Sequence, residues 1–428
     1  MADHDRRDLP TVLVFADDWG RHPSSCQHLV GDLLDRYQVL WINTIGTRQP
    51  RLDFATLSRG LEKVAQWAVP RGKQERARAG EGRHPNLRVL NPKMWPSFGS
   101  RLERRINRSL LLRQIAPFLT GLPQPAVAVT NIPVVADLVG HLPVRRWVYY
   151  CVDDFAEWPG LDGSTLRAME SELVTKVDAL IAVSDALQEK LERSRSPVHL
   201  LTHGVDLAHW REEVGSRGEL PWLSRLECPL IVFWGVIDQR MDVTYLERLA
   251  QDLDSGTMLL VGPQSAPPRG LESIPRLVCH PSIPFQELPA VARAADVLIM
   301  PYADLPVTRA MQPLKLKEYL ATGKPVVVRD LPSTRPWADS LDVVATPEEF
   351  SQAVRERLAT GLPESQQSAR VRLVDEAWSA KARDFERWLF DSDLKAPRTQ
   401  MVENRAPGGS EQRPLSLNHY LPQGFHLQ

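Results

Sequence analysis

The stretch "MQPLKLKEYLATGKPVVV", residues 311–328, follows "VLIM" at 297–300 after a short loop. Pro313 suits the first turn of a helix, where a missing N–H costs nothing. Gly323 suits a left-handed C-terminal stop, and Pro325 forbids continuation. The valines that follow read as a buried strand. Strand, helix, strand is the unit of a parallel sheet. Lys315 and Glu318 stand three residues apart and so share a face near the helix start. Unpaired N–H groups there, with an ammonium beside them, suit an anion such as a diphosphate. A carboxylate one turn on suits the two hydroxyls of a ribose. Doubly wound sheets bind ligands at the C-terminal ends of their strands, which is where this helix begins. The bland alternative is a crossover helix with a solvated Lys/Glu pair.

Outward from this stretch the same alternation runs almost throughout. The spacing predicts strands over 11–15, 38–42, 126–130, 146–151, 179–183 and 198–201, with helices between them such as 164–177 and 185–192. After a polar link at 206–222 it predicts a second set over 230–234, 257–261, 277–280, 297–300, 325–328 and 342–345. Helices fall over 243–253, 285–294, 313–321 and 347–358. There is no sequence repeat, yet the architecture occurs twice. The α/β class follows, with two Rossmann-like doubly wound domains facing a cleft. Residues 1–207 form the first domain and 208–375 the second. A helical pattern from 364 to about 390 carries Trp378, Phe385, Trp388 and Leu389, and 376–392 is read as a helix crossing back to the first domain. Residues 393–428, rich in Pro, Gly, Ser and Gln, read as a disordered tail, and 72–86 as an exposed loop.

The totals narrow the function. A chain of 428 residues with a net charge of −1 gives no general reason to bind nucleic acid. Cys26, Cys151, Cys228 and Cys279 lack metal-ligand spacing and read as reduced core residues, which suits a cytoplasmic protein. The polar N-terminus has no apolar signal-like run, and no segment approaches the roughly 20 apolar residues of a membrane span. Charge is uneven, however. Residues 51–113 hold 15 Lys/Arg against 5 Asp/Glu, together with Trp67, Trp95, Phe98 and Leu110 to Leu112. This segment suits either a solvated basic loop or contact with the inner face of an anionic membrane.

Several stretches in order carry a family resemblance: "FWGVIDQRMDVTYLERLA", "LLVGP", "IPFQELPAVARAADVLIMPY" and "QPLKLKEYLATGKPVVV". Together they resemble the donor domain of GT-B glycosyltransferases, especially the group 1 enzymes. "ALIAVSDALQEKL" followed by "LTHGVD" looks like that family's first domain and its link. "WGRHPSSCQHL" and "VYYCVDDFAEWPG" resemble a branch making bacterial exopolysaccharide and teichuronic acid. The resemblance implies a transferase, of hexosyl type and metal-independent, moving a sugar from a nucleoside-diphosphate sugar to a glycan or lipid-linked acceptor in cell-surface polysaccharide synthesis. It implies that Gly235 forms the first turn of the donor domain, that Arg240 and Lys315 hold the diphosphate, and that Glu318 binds the ribose. Ser282, Ile283, Pro284 and Phe285 would receive the base, and the loop 17–25 would close over the phosphates. Many members carry a glutamate eight positions before the ribose-binding one; here that position is Ala310, and Met241-Asp242 follows Arg240 in place of Lys-Gly.

Glycosyl transfer must stabilise a departing diphosphate, which fixed cations and a helix N-terminus do without a metal. Arg240, Lys315 and the helix at Pro313 fill that part. An inverting displacement also needs a base, and Asp153 or Asp154, ending the strand "RWVYYC", is best placed. Two adjacent carboxylates resist joint ionisation, which raises one pKa; the plain alternative is one cap and one solvated acid. His22 is a further candidate in the first loop, while His28 and His203 read as packed residues. The "DLD" at 252–254 reads as a solvated turn, so no metal and no cofactor are expected. No G-x-G-x-x-G follows any strand, which argues against a dinucleotide oxidoreductase. A sugar-nucleotide epimerase fits less well. A non-catalytic nucleotide-binding scaffold is the alternative that Ala310 keeps open.

Overall fold

The computed structural model of the chain describes residues 9–20, 24–44, 84–158, 160–192, 198–211 and 220–390. Runs of Val, Leu and Ile with no polar alternation form thirteen strands among them, as expected where both faces of a sheet are covered. The first seven are β1 (Thr11–Ala16), β2 (Gln38–Asn43), β3 (Leu87–Leu90), β4 (Ala126–Thr130), β5 (Val144–Cys151), β6 (Ala179–Ala182) and β7 (Val198–Leu200). They make one parallel sheet in the order β3-β2-β1-β4-β5-β6-β7. The next six are β8 (Leu230–Trp234), β9 (Thr257–Val261), β10 (Leu277–His280), β11 (Val297–Met300), β12 (Val326–Arg329) and β13 (Asp342–Val344). Their sheet is also parallel, in the order β10-β9-β8-β11-β12-β13. The winding reverses between β1 and β4 and again between β8 and β11, so each sheet has a switch point where a crevice opens.

Helices cover both sheets: α1 (Ser25–Gly31), α2 (Arg101–Leu119), α3 (Gly163–Leu173), α4 (Asp185–Leu191), α5 (Leu207–Arg211), α6 (Val243–Asp252), α7 (Leu288–Ala294), α8 (Pro306–Ala310), α9 (Leu314–Ala321), α10 (Pro347–Thr360), α11 (Glu364–Ala369) and α12 (Trp378–Phe390). Each sheet has its own apolar core. The first core takes in Val12 to Ala16, Val127 to Val129 and Val148 to Cys151. It also takes Ala382, Phe385, Trp388 and Leu389 of α12, so the last described helix does cross back to the first sheet. The second core is built on β8, β9, β11 and β12 and reaches Leu373.

Three expectations need correction. The helical pattern from 364 to 390 is broken: α11 gives way to a 3-10 stretch at Arg370–Glu376, and Ala377 is extended before α12 begins. The break occurs because Val205 donates to the Glu376 carbonyl (2.9 Å) and accepts from the Trp378 N–H (3.3 Å), so the returning chain must run straight beside the outgoing one. β3 was not expected, since four residues in a basic segment carry a weak strand signal. Cys228 is exposed, whereas Cys26 and Cys151 are buried as core residues should be. The tail expected over 393–428 and most of the 72–86 loop lie outside the described residues.

Candidate functional site

The C-terminal edge of the second sheet gathers the residues singled out in the sequence. Trp234 ends β8 and is followed by Gly235 at φ +136°. A Cβ on Gly235 would lie 2.6 Å from Lys315 Nζ, so glycine is required both for the turn and for the ammonium to pass over it. Lys315, in the first turn of α9, sits 5.0 Å from the ring centroids of Phe233 and Tyr302 and donates to the Tyr302 hydroxyl. Pro313 is one residue outside α9 and extended (φ −68°, ψ 122°), rather than in its first turn. Gly323 adopts the left-handed geometry expected of the stop (φ +74°).

Glu318 lies on the same side of α9 and accepts a hydrogen bond at Oε2 from the Trp234 indole N–H (3.2 Å). Burial raises its pKa, against the opposing pull of that indole and of Lys315. Trp234 was missed by sequence reasoning. Its role appears only when the end of β8 meets α9, although a tryptophan just before a turn glycine was the available signal. Its indole stacks on Trp210 of α5 (5.2 Å, 11°) and meets Tyr319 edge-on (4.3 Å).

The loop after β10 completes this edge. Ser282 and Pro284 are exposed, while Ile283 and Phe285 are half-buried. Phe285 stacks on His209 of α5 (4.2 Å, 9°) and meets Trp210 edge-on (5.8 Å). An aromatic wall therefore joins the expected base-binding loop to the linker between the two sheets.

Arg240 reaches across to the first domain. Asp238 grips its guanidinium (2.8–3.1 Å), and only 7% of the residue is exposed. The guanidinium lies 4.5 Å over the ring of Trp158, which belongs to the loop after β5. Asp153 stands in that same loop, half-buried. Burial raises its pKa to about 7, with Arg240 and Trp158 holding it down and Asp154 pushing it up only slightly. Loss of water, not the adjacent carboxylate, is thus the main cause of the shift. Asp154 turns elsewhere, into an ion pair with Lys190 (2.9 Å) that also joins Glu170 (2.6 Å) and, through it, the Tyr149 hydroxyl (2.7 Å). The two aspartates are neighbours in the chain with separate surroundings.

Asn131 follows β4, between β1 and β5 at the same edge. It is 5% exposed, and its Oδ1 has no hydrogen bond among the described residues. A buried acceptor left without a donor is rare, and it marks a place where a ligand hydroxyl could bond. Nothing in the sequence distinguished it. His22 lies outside the described residues, as does the middle of the 17–25 loop. His28 stacks on Trp378 (4.6 Å, 7°), and burial lowers its pKa. His203 is buried with a pKa of about 3, lowered by burial and then by Lys317, so its ring is neutral. Asp252 of the "DLD" is bound to Arg248 (2.8 Å) and Ser351 (2.6 Å), well away from these residues.

Lys317, on the opposite face of α9 from Lys315, was not anticipated. It is 3% exposed and donates to the Thr202 hydroxyl (3.1 Å), the His203 carbonyl and the Glu376 carboxylate. Both chain crossings between the sheets are thereby tied to the helix that carries Lys315 and Glu318. A cavity of about 370 Å³ opens beside this crossing, lined by Ser184, Gln312, Ser333, Trp337 and Lys317 among others. It is separate from the Gly235–Lys315 edge, with Met311 between: Met311 lines the cavity and places its sulfur 3.8 Å from Arg240. Ala310 is docked on the first domain, its carbonyl accepting from the Ser184 hydroxyl (2.5 Å).

Comparison with known proteins gives these observations a context. Residues 228–360 match the family described as Glycosyl transferases group 1. Over 182 residues the chain is 31% identical to TuaH of Bacillus subtilis (strain 168), named for a role as a teichuronic acid biosynthesis glycosyltransferase. That match takes in 40% of this chain and 44% of the relative, so the chain spans less than half of the relative's length. Sucrose-phosphate synthase from Thermosynechococcus elongatus superposes with a TM-score of 0.62 at 15% identity, over 89% of this chain and 98% of the other. HepE of Anabaena, solved in complex with UDP, gives a TM-score of 0.51 at 13% identity over 89% and 96%. At these identities the structural likeness is one of fold, and the fold is GT-B.

Proposed function

We propose that this GT-B chain, whose residues 228–360 match the group 1 glycosyl transferases, moves a sugar from a nucleoside-diphosphate sugar to a glycan or lipid-linked acceptor in cell-surface polysaccharide synthesis. The observation that carries the reading is the convergence at the second switch point. Gly235, Lys315 and Glu318 meet there on one edge, and Arg240 extends from it over the Trp158 ring, in the loop of the first domain that carries Asp153.

In this reading Lys315 and the N–H groups opening α9 hold the diphosphate, with Arg240 completing the positive wall. Glu318, oriented by Trp234, binds the ribose. The loop from Ser282 to Phe285 receives the base, which we take to be uracil because HepE was solved with UDP. Asp153 takes the proton of the acceptor hydroxyl as that oxygen forms its bond to the sugar C1. The bond from C1 to the phosphate oxygen breaks on the opposite side, and the nucleoside diphosphate leaves with its charge on the two cations. The transfer is inverting, of hexosyl type and without a metal, and it takes place at the cytoplasmic side. A pKa of about 7 suits a base working at neutral pH.

A second reading has an observation of its own. Ala310 lacks a carboxylate, and Asp238 already neutralises Arg240, which would suit a subunit that binds a nucleotide without catalysis. Donor turnover separates the two. UDP-sugars should yield UDP and a transferred sugar with wild type, unaffected by EDTA, and Asp153→Asn should slow this by about 10²–10⁴-fold. Nucleotide binding with no turnover of any UDP-sugar would favour the non-catalytic subunit.

A further inference from the structure

The basic segment of the first domain acquires a definite face in the structure. α2 begins at the C-terminal edge of the first sheet, the edge that also carries Asp153 and Asn131. Along one stripe of its surface stand Leu102 and Ile106, 67% and 37% exposed, with Trp95 of the preceding loop 45% exposed. Arg101, Arg105 and Arg113 flank them, all exposed and with no ion pair to any described residue. The acid of the first turn, Glu103, is already engaged. It accepts from the Ser100 N–H (2.9 Å) and the Trp95 indole (3.3 Å) as part of the helix cap. Large apolar side chains standing in water beside guanidinium groups that pair with no acid among the described residues, three cations to the one carboxylate of the cap, match the boundary of an anionic bilayer: apolar tips enter the acyl edge and cations meet the headgroups. Among the described residues no helix is long and apolar enough to cross a bilayer, so the contact fits a surface attachment.

We propose that Trp95, Leu102 and Ile106, with Arg101, Arg105 and Arg113, form a docking face for an anionic lipid surface, setting the acceptor edge of the cleft against a membrane. The inference rests on the transferase reading for its purpose, and it narrows the acceptor to one presented at a lipid surface. Sedimentation with vesicles tests it, using the full chain with phosphatidylcholine alone or mixed with phosphatidylglycerol. Wild type should partition onto the anionic vesicles only, and less as salt rises. The double variant L102E/I106E should bind at least tenfold more weakly, and R101A and R105A about fivefold more weakly each. UDP-induced thermal stabilisation, measured in parallel, should be unchanged in all of them, which shows that the variants fold. Failure of wild type to bind anionic vesicles, or equal binding by L102E/I106E, overturns the proposal. So does retention on a soluble acidic polysaccharide without vesicle binding, which would assign the face to a glycan instead. Vesicle binding in a protein that no nucleotide stabilises would sink the transferase reading and leave the docking face standing.

Discussion

Lys315 and Glu318 show how much a single spacing can carry. Three positions apart at the start of a helix, they share a face, and the structure turns that face to the Gly235 turn and the end of β8. The proposed donor site then predicts a direct result. UDP at about 100 times its dissociation constant should stabilise wild type by roughly 2.7 kcal/mol, and Lys315→Ala and Glu318→Ala should each lose most of that shift in a thermal melt. Retention of the full shift by both would remove the donor site from α9. Asp153 allows a sharper test because its titration is displaced. An unfolded aspartate ionises near 3.9, whereas this one holds its proton to about 7. Its charging therefore costs stability progressively between those values, fully above pH 7 and not at all below pH 4. Asp153→Asn should raise stability at pH 8 by on the order of 1–3 kcal/mol and change it little at pH 4, while wild-type kcat/KM should rise through pH 7. A flat difference in melting temperature across that range would show that the group is not displaced. What the sequence hid at this scale was orientation. Asp153 and Asp154 are indistinguishable on paper, and only the position of Lys190 on α4 shows that Asp154 belongs to a structural ion pair. Trp234 and Lys317 escaped notice for the same reason, since their partners are distant in the chain.

At the scale of elements, periodicity was legible and interruption was not. The valine and leucine runs marked twelve of the strands, because a strand buried on both faces needs unbroken apolar residues. β3 was too short and too basic to stand out. The pattern from 364 to 390 retains helical spacing across its break, so nothing local announces that Val205 will pair with Glu376 and Trp378 and force the chain straight. That pairing is close: a Cβ on Gly204 would meet the Trp378 ring at 2.7 Å. Gly204→Ala should accordingly cost about 1–3 kcal/mol, read as a fall in the urea midpoint. An unchanged midpoint would mean that the two crossings can part without cost. Trp234→Phe keeps the aromatic stack but deletes the N–H that holds Glu318. It should weaken UDP binding more than it weakens binding of a dideoxyribose analogue, as measured by calorimetry; equal losses would make the indole a packing residue only.

For the molecule as a whole, the repeated alternation was enough to give two parallel sheets and a returning helix. The connection between them was not, because a crossing is defined by contacts among residues 202–206, 317 and 376–378 that have no common motif. Lys317 joins these segments from a buried position, with Lys381 sharing Glu376 (2.7 Å). Lys317→Met should destabilise the fold by about 1–3 kcal/mol, less than a buried pair broken outright, since Lys381 still neutralises Glu376. Equilibrium unfolding at pH 7 would measure this, and no loss would show that the lysine is dispensable to the crossing.

α9 carries Lys315 and Glu318 on one side and Lys317 on the other, one helix of eight residues. In the proposed donor site this short helix would hold the diphosphate on one side while Lys317 holds the chain crossing on the other, so the two are mechanically joined. A nucleotide that binds at Lys315 as proposed should slow amide exchange in the strand-like link at 202–206. The coupling would run both ways: a substitution that populates an open form of that link would lower nucleotide affinity by the fraction of molecules it withdraws from the binding-competent form. The crossing between the sheets would then act as an allosteric reporter, sensing from behind the helix whether the donor place is filled.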